Sequence, residues 1–332
     1  MRKRVLTYLI IACALSASCT KNEVREWEER SRVAYNVVSS PVAQTKAASA
    51  FPTTSTFMSS AYELLSSQSW DADYASSALK FGPDEVRFMD TYWSTDTKHF
   101  WEEGKKLTFF SYAPASLKAQ GMDITRDGVS VNGWDITQSG MSDKLILVAD
   151  VAKDKVKNES FAGFTGVPTH FRQKLTKVSF SLAESDLSDV DEIYITKLSV
   201  GGYYTKGDYQ KGGTSLETWT NLSNPAAEYV FYDDAVGHKL TSEPWIVDKV
   251  MIPQSLRSEA YLSISYRTVK GSTVNTEGPV TLYFVKDFRS GIWSMGTHVT
   301  YTLKVGAGMY PILFDATASD WLYTGGGLIE IE

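Results

Sequence analysis

The chain predicts an all-β protein built as two β-sandwiches in tandem, and three observations predict it. Tyr, Phe and Trp number 18, 15 and 9 among 332 residues, and such residues, together with Val and Thr, suit pleated sheets better than helices. Short apolar runs recur at spacings of roughly 10 to 15 residues with turn residues between them, the rhythm of sandwich strands. No segment longer than about ten residues keeps the 3.6-residue period of an amphipathic helix.

From the N-terminus, Arg2-Lys3-Arg4 precede an apolar run from Val5 to Leu15, then Ser16-Ala17-Ser18 and Cys19. A basic start, a short apolar stretch and small residues describe a secretory signal, too short for a membrane span of about 20 apolar residues. A cysteine directly after the small residues adds the reading of a lipoprotein signal, cut before Cys19 and acylated there, with palmitate-like chains holding the protein at the outer membrane. Cys13, after Ile10-Ile11-Ala12, is the alternative acceptor, and a plain secretory signal with an incidental cysteine is the other reading. Loss of the three basic residues takes the formal charge from −6 to −9. With Cys13 and Cys19 the only cysteines, no disulfide staples the body.

The expected organisation is a signal over 1–19, a charged tether over 20–32, a first sandwich over 33–166 and a second over 167–332. Val33 to Val38 alternates and reads as a half-buried strand, and Ser39 to Thr56, rich in Ser, Thr, Ala and Pro, reads as an exposed loop. Strands follow at Phe57–Leu64, Val86–Met89, Leu107–Tyr112, Val129–Val131 and Lys144–Ala149. The last is a continuous apolar run, which suits burial on both faces. After Pro168 come Leu175–Leu182, with Val178, Phe180 and Leu182 on one face, then Ile193–Val200, Tyr229–Tyr232, Val250–Ile252, Tyr261–Tyr266, Val280–Val285, Val299–Val305 and Ile312–Phe314. Gly201-Gly202, Lys206-Gly207-Asp208, Gly212-Gly213, Lys270-Gly271-Ser272 and Gly306-Ala307-Gly308 read as turns.

Charge and motif content exclude several functions. With 33 Lys+Arg against 39 Asp+Glu and no basic run past the first residues, the electrostatic footprint of nucleic-acid binding is missing. The four histidines, His99, His170, His238 and His298, are scattered and form no metal-binding spacing. There is no G-x-S-x-G elbow, and Gly325-Gly326-Gly327 lacks the Lys-Ser/Thr of a phosphate loop. Carboxylates gather at Asp71 with Asp73, at Asp186, Asp189, Asp191 and Glu192, and at Asp233 with Asp234, without the spacing of a calcium loop. The expectation is no cofactor, no metal and no catalysis. Tyr92, Trp93, His99, Phe100 and Trp101 cluster, either as a lid on the core or as a platform on which Tyr92, Trp93 and Trp101 stack sugar rings.

The Cys19 signal, Leu107 to Pro114, Leu145 to Ala149, His170 to Phe180, Met251-Ile252-Pro253-Gln254, Trp293 to Leu303, Asp320-Trp321 and Gly325 to Ile331 together resemble the fimbrillin family, the fimbrillin-A-like and Mfa-like pilus-subunit lipoproteins of Bacteroidales. The resemblance implies two transthyretin-like Greek-key sandwiches, export as a lipoprotein, and removal of the first strand by a trypsin-like Arg/Lys-specific protease. A strand from another pilin subunit then fills the vacated groove. On this sequence the removable strand is Val33 to Val38 and the cut follows Lys46, or alternatively Arg32. The donor is the segment in which Ile329 and Ile331 share one face opposite Leu328. Physics favours such an exchange, because an extended segment satisfies apolar side chains and unpaired backbone groups at once. The resemblance thus implies a structural, adhesive pilus subunit or accessory subunit. The alternative is a surface lipoprotein that stays anchored at Cys19 and holds a host glycan or protein without polymerising.

Overall fold

In the computed structural model, which describes residues 32–39, 49–141, 144–157, 166–185, 190–225, 228–306 and 312–320, the alternating segments form strands throughout. In chain order the first eleven are β1 (Tyr35–Ser39), β2 (Ser49–Ala50), β3 (Phe57–Leu65), β4 (Ala78–Met89), β5 (Tyr92–Thr95), β6 (Lys105–Ala113), β7 (Asp123–Thr125), β8 (Gly128–Asp135), β9 (Leu147–Ala149), β10 (Ala152–Lys155) and β11 (Val167–Gln173). The rest are β12 (Thr176–Glu184), β13 (Glu192–Gly201), β14 (Tyr204–Lys211), β15 (Thr218–Pro225), β16 (Tyr229–Lys239), β17 (Trp245–Met251), β18 (Gln254–Ser255), β19 (Tyr261–Lys270), β20 (Thr273–Tyr283), β21 (Ile292–Trp293), β22 (Thr297–Val305) and β23 (Ile312–Asp320). The α-helix among the described residues is one turn, α1 (Trp70–Asp73).

The first sheet closes on itself. Its hydrogen-bonded order runs β6-β3-β4-β5-β1-β11-β9, and β9 pairs back with β6 through Tyr112 and Val148. A core of Val33, Tyr35, Phe57, Trp93, Phe109, Phe171 and their neighbours fills the inside. The second half of the chain stacks two four-stranded sheets, β17-β12-β22-β23 and β16-β13-β19-β20. Phe180 from one sheet lies 5.0 Å from Phe231 of the other, ring centre to ring centre.

The two cores share a wall. Along β3, Phe57 and Ala61 enter the closed sheet while Met58, Tyr62 and Leu64 face the larger core outside it. Along β6 the split is Leu107 and Phe109 inward, Phe110 and Tyr112 outward, and along β9 it is Leu147 and Ala149 inward, Val148 outward. Alternation on a pleat sends neighbours to opposite faces, so an uninterrupted apolar run is what a wall with a core on either side requires. Within that wall Ser59 and Ser111 face each other in register, and their buried hydroxyls hydrogen-bond at 2.8 Å.

Three expectations are corrected. The strand Val167–Gln173 falls beyond the expected boundary at residue 166, yet it pairs with β1 and β9 of the first sheet. A further sheet, β15-β14-β8-β7, takes strands from both halves of the chain. Lys206-Gly207-Asp208 is not a turn but the middle of β14, where the pairing slips by one residue. The expected loop from Ser39 to Thr56 contains β2 and the buried Phe51, which stacks on Phe171 at 5.0 Å. Composition hid it because one aromatic carries the burial.

Candidate functional site

The first strand is not an edge strand. β1 lies parallel to β11, from Tyr35 opposite Val167 to Ser39 opposite Phe171, and antiparallel to β5 at Tyr35 and Trp93. Both sides are paired. Five register positions join β1 to β11, and the other side is shared between β5 at Tyr35–Trp93, β2 at Val38–Ala50 and Ser39–Ser49, and an isolated bridge between Arg32 and Phe100. Backbone bonds at the start of the segment run from the Val33 N–H to the His99 carbonyl at 2.8 Å and from the Val167 N–H to the Ala34 carbonyl at 2.8 Å.

Its side chains obey period 2. Val33, Tyr35 and Val37 are buried, while Ala34 and Asn36 are partly exposed. The Tyr35 ring meets Phe57 edge-on at 5.4 Å and Phe109 edge-on at 5.8 Å, the geometry that aromatic quadrupoles favour. Its hydroxyl is buried without a well-aligned partner. Burial pushes the phenol well above the usual tyrosine range, against an opposing pull from Ser59. Gly166, at φ +85°, opens β11 hard against this strand, and a Cβ there would stand 2.7 Å from the Tyr35 carbonyl carbon.

Arg32 is held where it enters the fold. Its guanidinium donates to the Tyr92 hydroxyl at 3.0 Å and to the Thr95 carbonyl at 2.8 Å, and it lies 5.4 Å from the centre of the Tyr92 ring. The next residue, Val33, is 2% exposed. A protease that needs an unpaired backbone and a free basic side chain finds neither at this bond. Lys46, Cys19, Leu328, Ile329 and Ile331 lie outside the described residues.

The aromatic cluster divides. Trp93 and Trp101 are buried at 6% and 8% exposure in the first core, so they present no face to a sugar, and only Tyr92 of the three is exposed. His99 stacks on Phe81 at 3.9 Å and meets the Asp84 carboxylate at 2.7 Å. Of the gathered carboxylates, Asp71 pairs with Lys153, Asp191 accepts the Gly271 N–H, and Glu192 pairs with Lys239, while Asp186 and Asp189 lie outside the described residues. Among the described residues no group of three His, Cys, Asp or Glu side chains is arranged to hold a metal.

Two polar clusters escaped sequence reasoning because their members are distant in the chain. In the first, His298 Nε2 lies 2.7 Å from the Ser179 hydroxyl beside the Lys177–Asp248 ion pair of 2.8 Å. Burial lowers the His298 pKa, Lys177 lowers it further and Asp248 opposes both. Ser179 is 1% exposed, so this serine–histidine pair offers no nucleophile to a substrate. In the second, Lys174, 2% exposed, pairs with Glu217 at 2.8 Å, and Lys211 stands 3.6 Å from both Glu217 and Asp150. Arg172 donates two arms to Asp150 at 2.7 to 3.0 Å. Burial depresses Lys174. Burial would raise Glu217, but the charges of Lys174 and Lys211 outweigh it and hold that carboxyl below its ordinary value. This network fastens the end of β11 to the β14–β15 hairpin.

A family model described as fimbrillin-like matches residues 43–321. Among solved structures, a fimbrial protein from Bacteroides vulgatus is similar at 18% identity and a TM-score of 0.59, over 88% of this chain and 99% of that one. A candidate cell adhesion protein from Bacteroides uniformis is similar at 15% identity and a TM-score of 0.54, over 87% and 99%. Both share the fold. No curated protein matches the chain.

Proposed function

The chain belongs to the fimbrillin-like family, and from that premise we propose that it is an adhesive pilus subunit, or a pilus accessory subunit, that gives up β1 and takes a strand from a neighbour in its place. It acts at the cell surface or within the pilus. In this reading the precursor is acylated at Cys19 and reaches the outer membrane as a lipoprotein. A trypsin-like protease cuts after Lys46, and the segment Leu328 to Ile331 of each subunit is a donor.

One observation carries this reading. A single short segment of the first sheet fills an aromatic slot with three alternating side chains, Val33, Tyr35 and Val37, and is paired to β11 on one side and to β5 and β2 on the other. Removing it would expose apolar surface and unpaired backbone groups on both β5 and β11, which is what β-augmentation repairs. The residues that link it to β2 hold Lys46, the one basic residue between Ser39 and Ser49. Arg32 is clamped, which disfavours a cut after it. The glycan-platform reading loses support, since Trp93 and Trp101 face the first core.

Limited trypsin treatment of purified precursor tests the proposal. Loss of the segment ending at Lys46 followed by SDS-resistant ladders supports it. A cut protein that keeps its first segment, or that stays monomeric and takes up no extended peptide in place of that segment, overturns it.

A further inference from the structure

Resting on that reading, we propose that the slot of β1 selects its incoming strand by an aromatic side chain at the Tyr35 position, flanked two residues away on each side by β-branched residues. The occupant is therefore a strand of the pattern Val/Ile-x-Tyr/Phe-x-Val/Ile from a different subunit, rather than an all-aliphatic segment such as Leu328 to Ile331.

The slot is shaped by what now occupies it. At its centre the Tyr35 ring fits between the edges of Phe57 and Phe109, and Phe57 is itself braced by Phe171 at 5.2 Å and Trp93 at 5.9 Å. These rings belong to four different strands or their ends, so the pocket cannot close by a shift of one element. An aliphatic side chain at the centre would forfeit both edge-on ring contacts and leave a void lined by aromatic carbons, which packed interiors tolerate poorly. Val33 and Val37 are buried on either side of Tyr35, where β-branched side chains suit the pleat.

Two details sharpen the selection. The hydroxyl of Tyr35 has no well-aligned partner, so shape rather than hydrogen bonding is read at the centre, and Phe serves as well as Tyr. Gly166 leaves room for a main chain to pass directly over it, with a virtual Cβ only 2.9 Å from the Ala34 carbonyl oxygen and the Asn36 nitrogen. The incoming strand must follow that same path. It runs as β1 does, parallel to β11 and antiparallel to β5. Leu328, Ile329 and Ile331 present aliphatic side chains alone. A subunit of this kind therefore donates to a neighbour whose slot is aliphatic at the centre and receives from one whose donor is aromatic there, which makes the junctions heterotypic.

The full chain carrying a specific protease site within residues 40–48 is cut and mixed with fluorescein-labelled peptides, and exchange is followed by anisotropy. The peptides are residues 32–39, the same with Tyr35→Phe, the same with Tyr35→Leu, and residues 325–332. The expected result is binding by the first two within a few-fold of each other and at least tenfold weaker binding by the last two. If the Tyr35→Leu peptide or residues 325–332 bind as tightly as residues 32–39, aromatic selection is wrong while strand exchange stands. If no peptide binds to the cut chain, strand exchange and the selection built on it both fall.

Discussion

A Cβ on Gly166 would stand 2.7 Å from the carbonyl carbon of Tyr35, so β11 begins against β1 with no space for a side chain. The contact is between main chains, and its φ of +85° lies where L-residues are rarely found.

Gly166→Ala is therefore expected to cost roughly 2 kcal/mol or more, from a strained φ and a displaced strand. Urea denaturation gives the size. The stronger check is comparative: once β1 has been removed the clash is gone, so the penalty in the cut chain falls to that of the φ alone. An equal penalty in both forms contradicts the placement of β1.

Tyr35→Phe keeps both ring contacts and removes a buried hydroxyl with no good partner, so stability should be unchanged or higher by about 1 kcal/mol. Tyr35→Ala should cost about 3–5 kcal/mol, as large aromatic truncations in cores do. Chemical denaturation of both variants separates ring from hydroxyl.

Lys174→Met leaves the partly buried Glu217 with the longer Lys211 contact and the Tyr209 hydroxyl, and should cost about 2–4 kcal/mol, below the full penalty of a broken buried pair. The double variant Lys174→Met with Glu217→Leu should recover much of that loss, because it removes the stranded charge. A double-mutant cycle in guanidinium chloride reads the coupling.

Acid should weaken the fold in two windows. His298 is depressed below 6.5, chiefly by burial, so its neutral form is the one the fold accepts. Stability is full above 6.5 and is lost as pH falls through that value towards the lower folded one. Glu217 and Asp150 are held below their ordinary values, so their contribution is present above the ordinary carboxylate range and is lost as pH falls through their lowered values. His298→Gln should flatten the upper window and leave the lower one. His238, also lowered by burial, supplies whatever of the upper window remains.

Trypsin should spare the Arg32–Val33 bond in the intact protein. Tyr92→Ala removes one hydrogen bond and the ring face from Arg32, and cleavage there should quicken several-fold by mass spectrometry of the digest.

Much of the architecture was readable where one face of a strand meets one core. β12 was plain because Val178, Phe180 and Leu182 alternate and are each fully buried. β9 was plain for the opposite reason, an unbroken apolar run with a core on each side. β11 was missed because Pro168 looked like punctuation. Pro168 stands opposite Asn36 of β1 while pairing with β9 starts only at Phe171, so the missing N–H costs the ladder little. β14 was missed because Lys206-Gly207-Asp208 has turn composition, yet Asp208 accepts from the Gly133 N–H and the Asn221 amide and seats a bulge. At the site, the alternation of Val33, Tyr35 and Val37 was legible. That Arg32 is clamped and that Trp93 and Trp101 point inward was not, because each depends on residues some 60 positions away or on the closure of the sheet.

The wall between the cores has one further consequence. In β6, Phe109 and Phe110 are alike in chemistry and point in opposite directions, so a slip of one residue would exchange one oily neighbour for another with no polar penalty to oppose it. Hydrophobic patterning, which aligns most strands, is silent here. The hydroxyl pair of Ser59 and Ser111 is polar in the midst of that grease and is satisfied in a single alignment, so two small serines act as the dowel that keeps β3 and β6 from sliding.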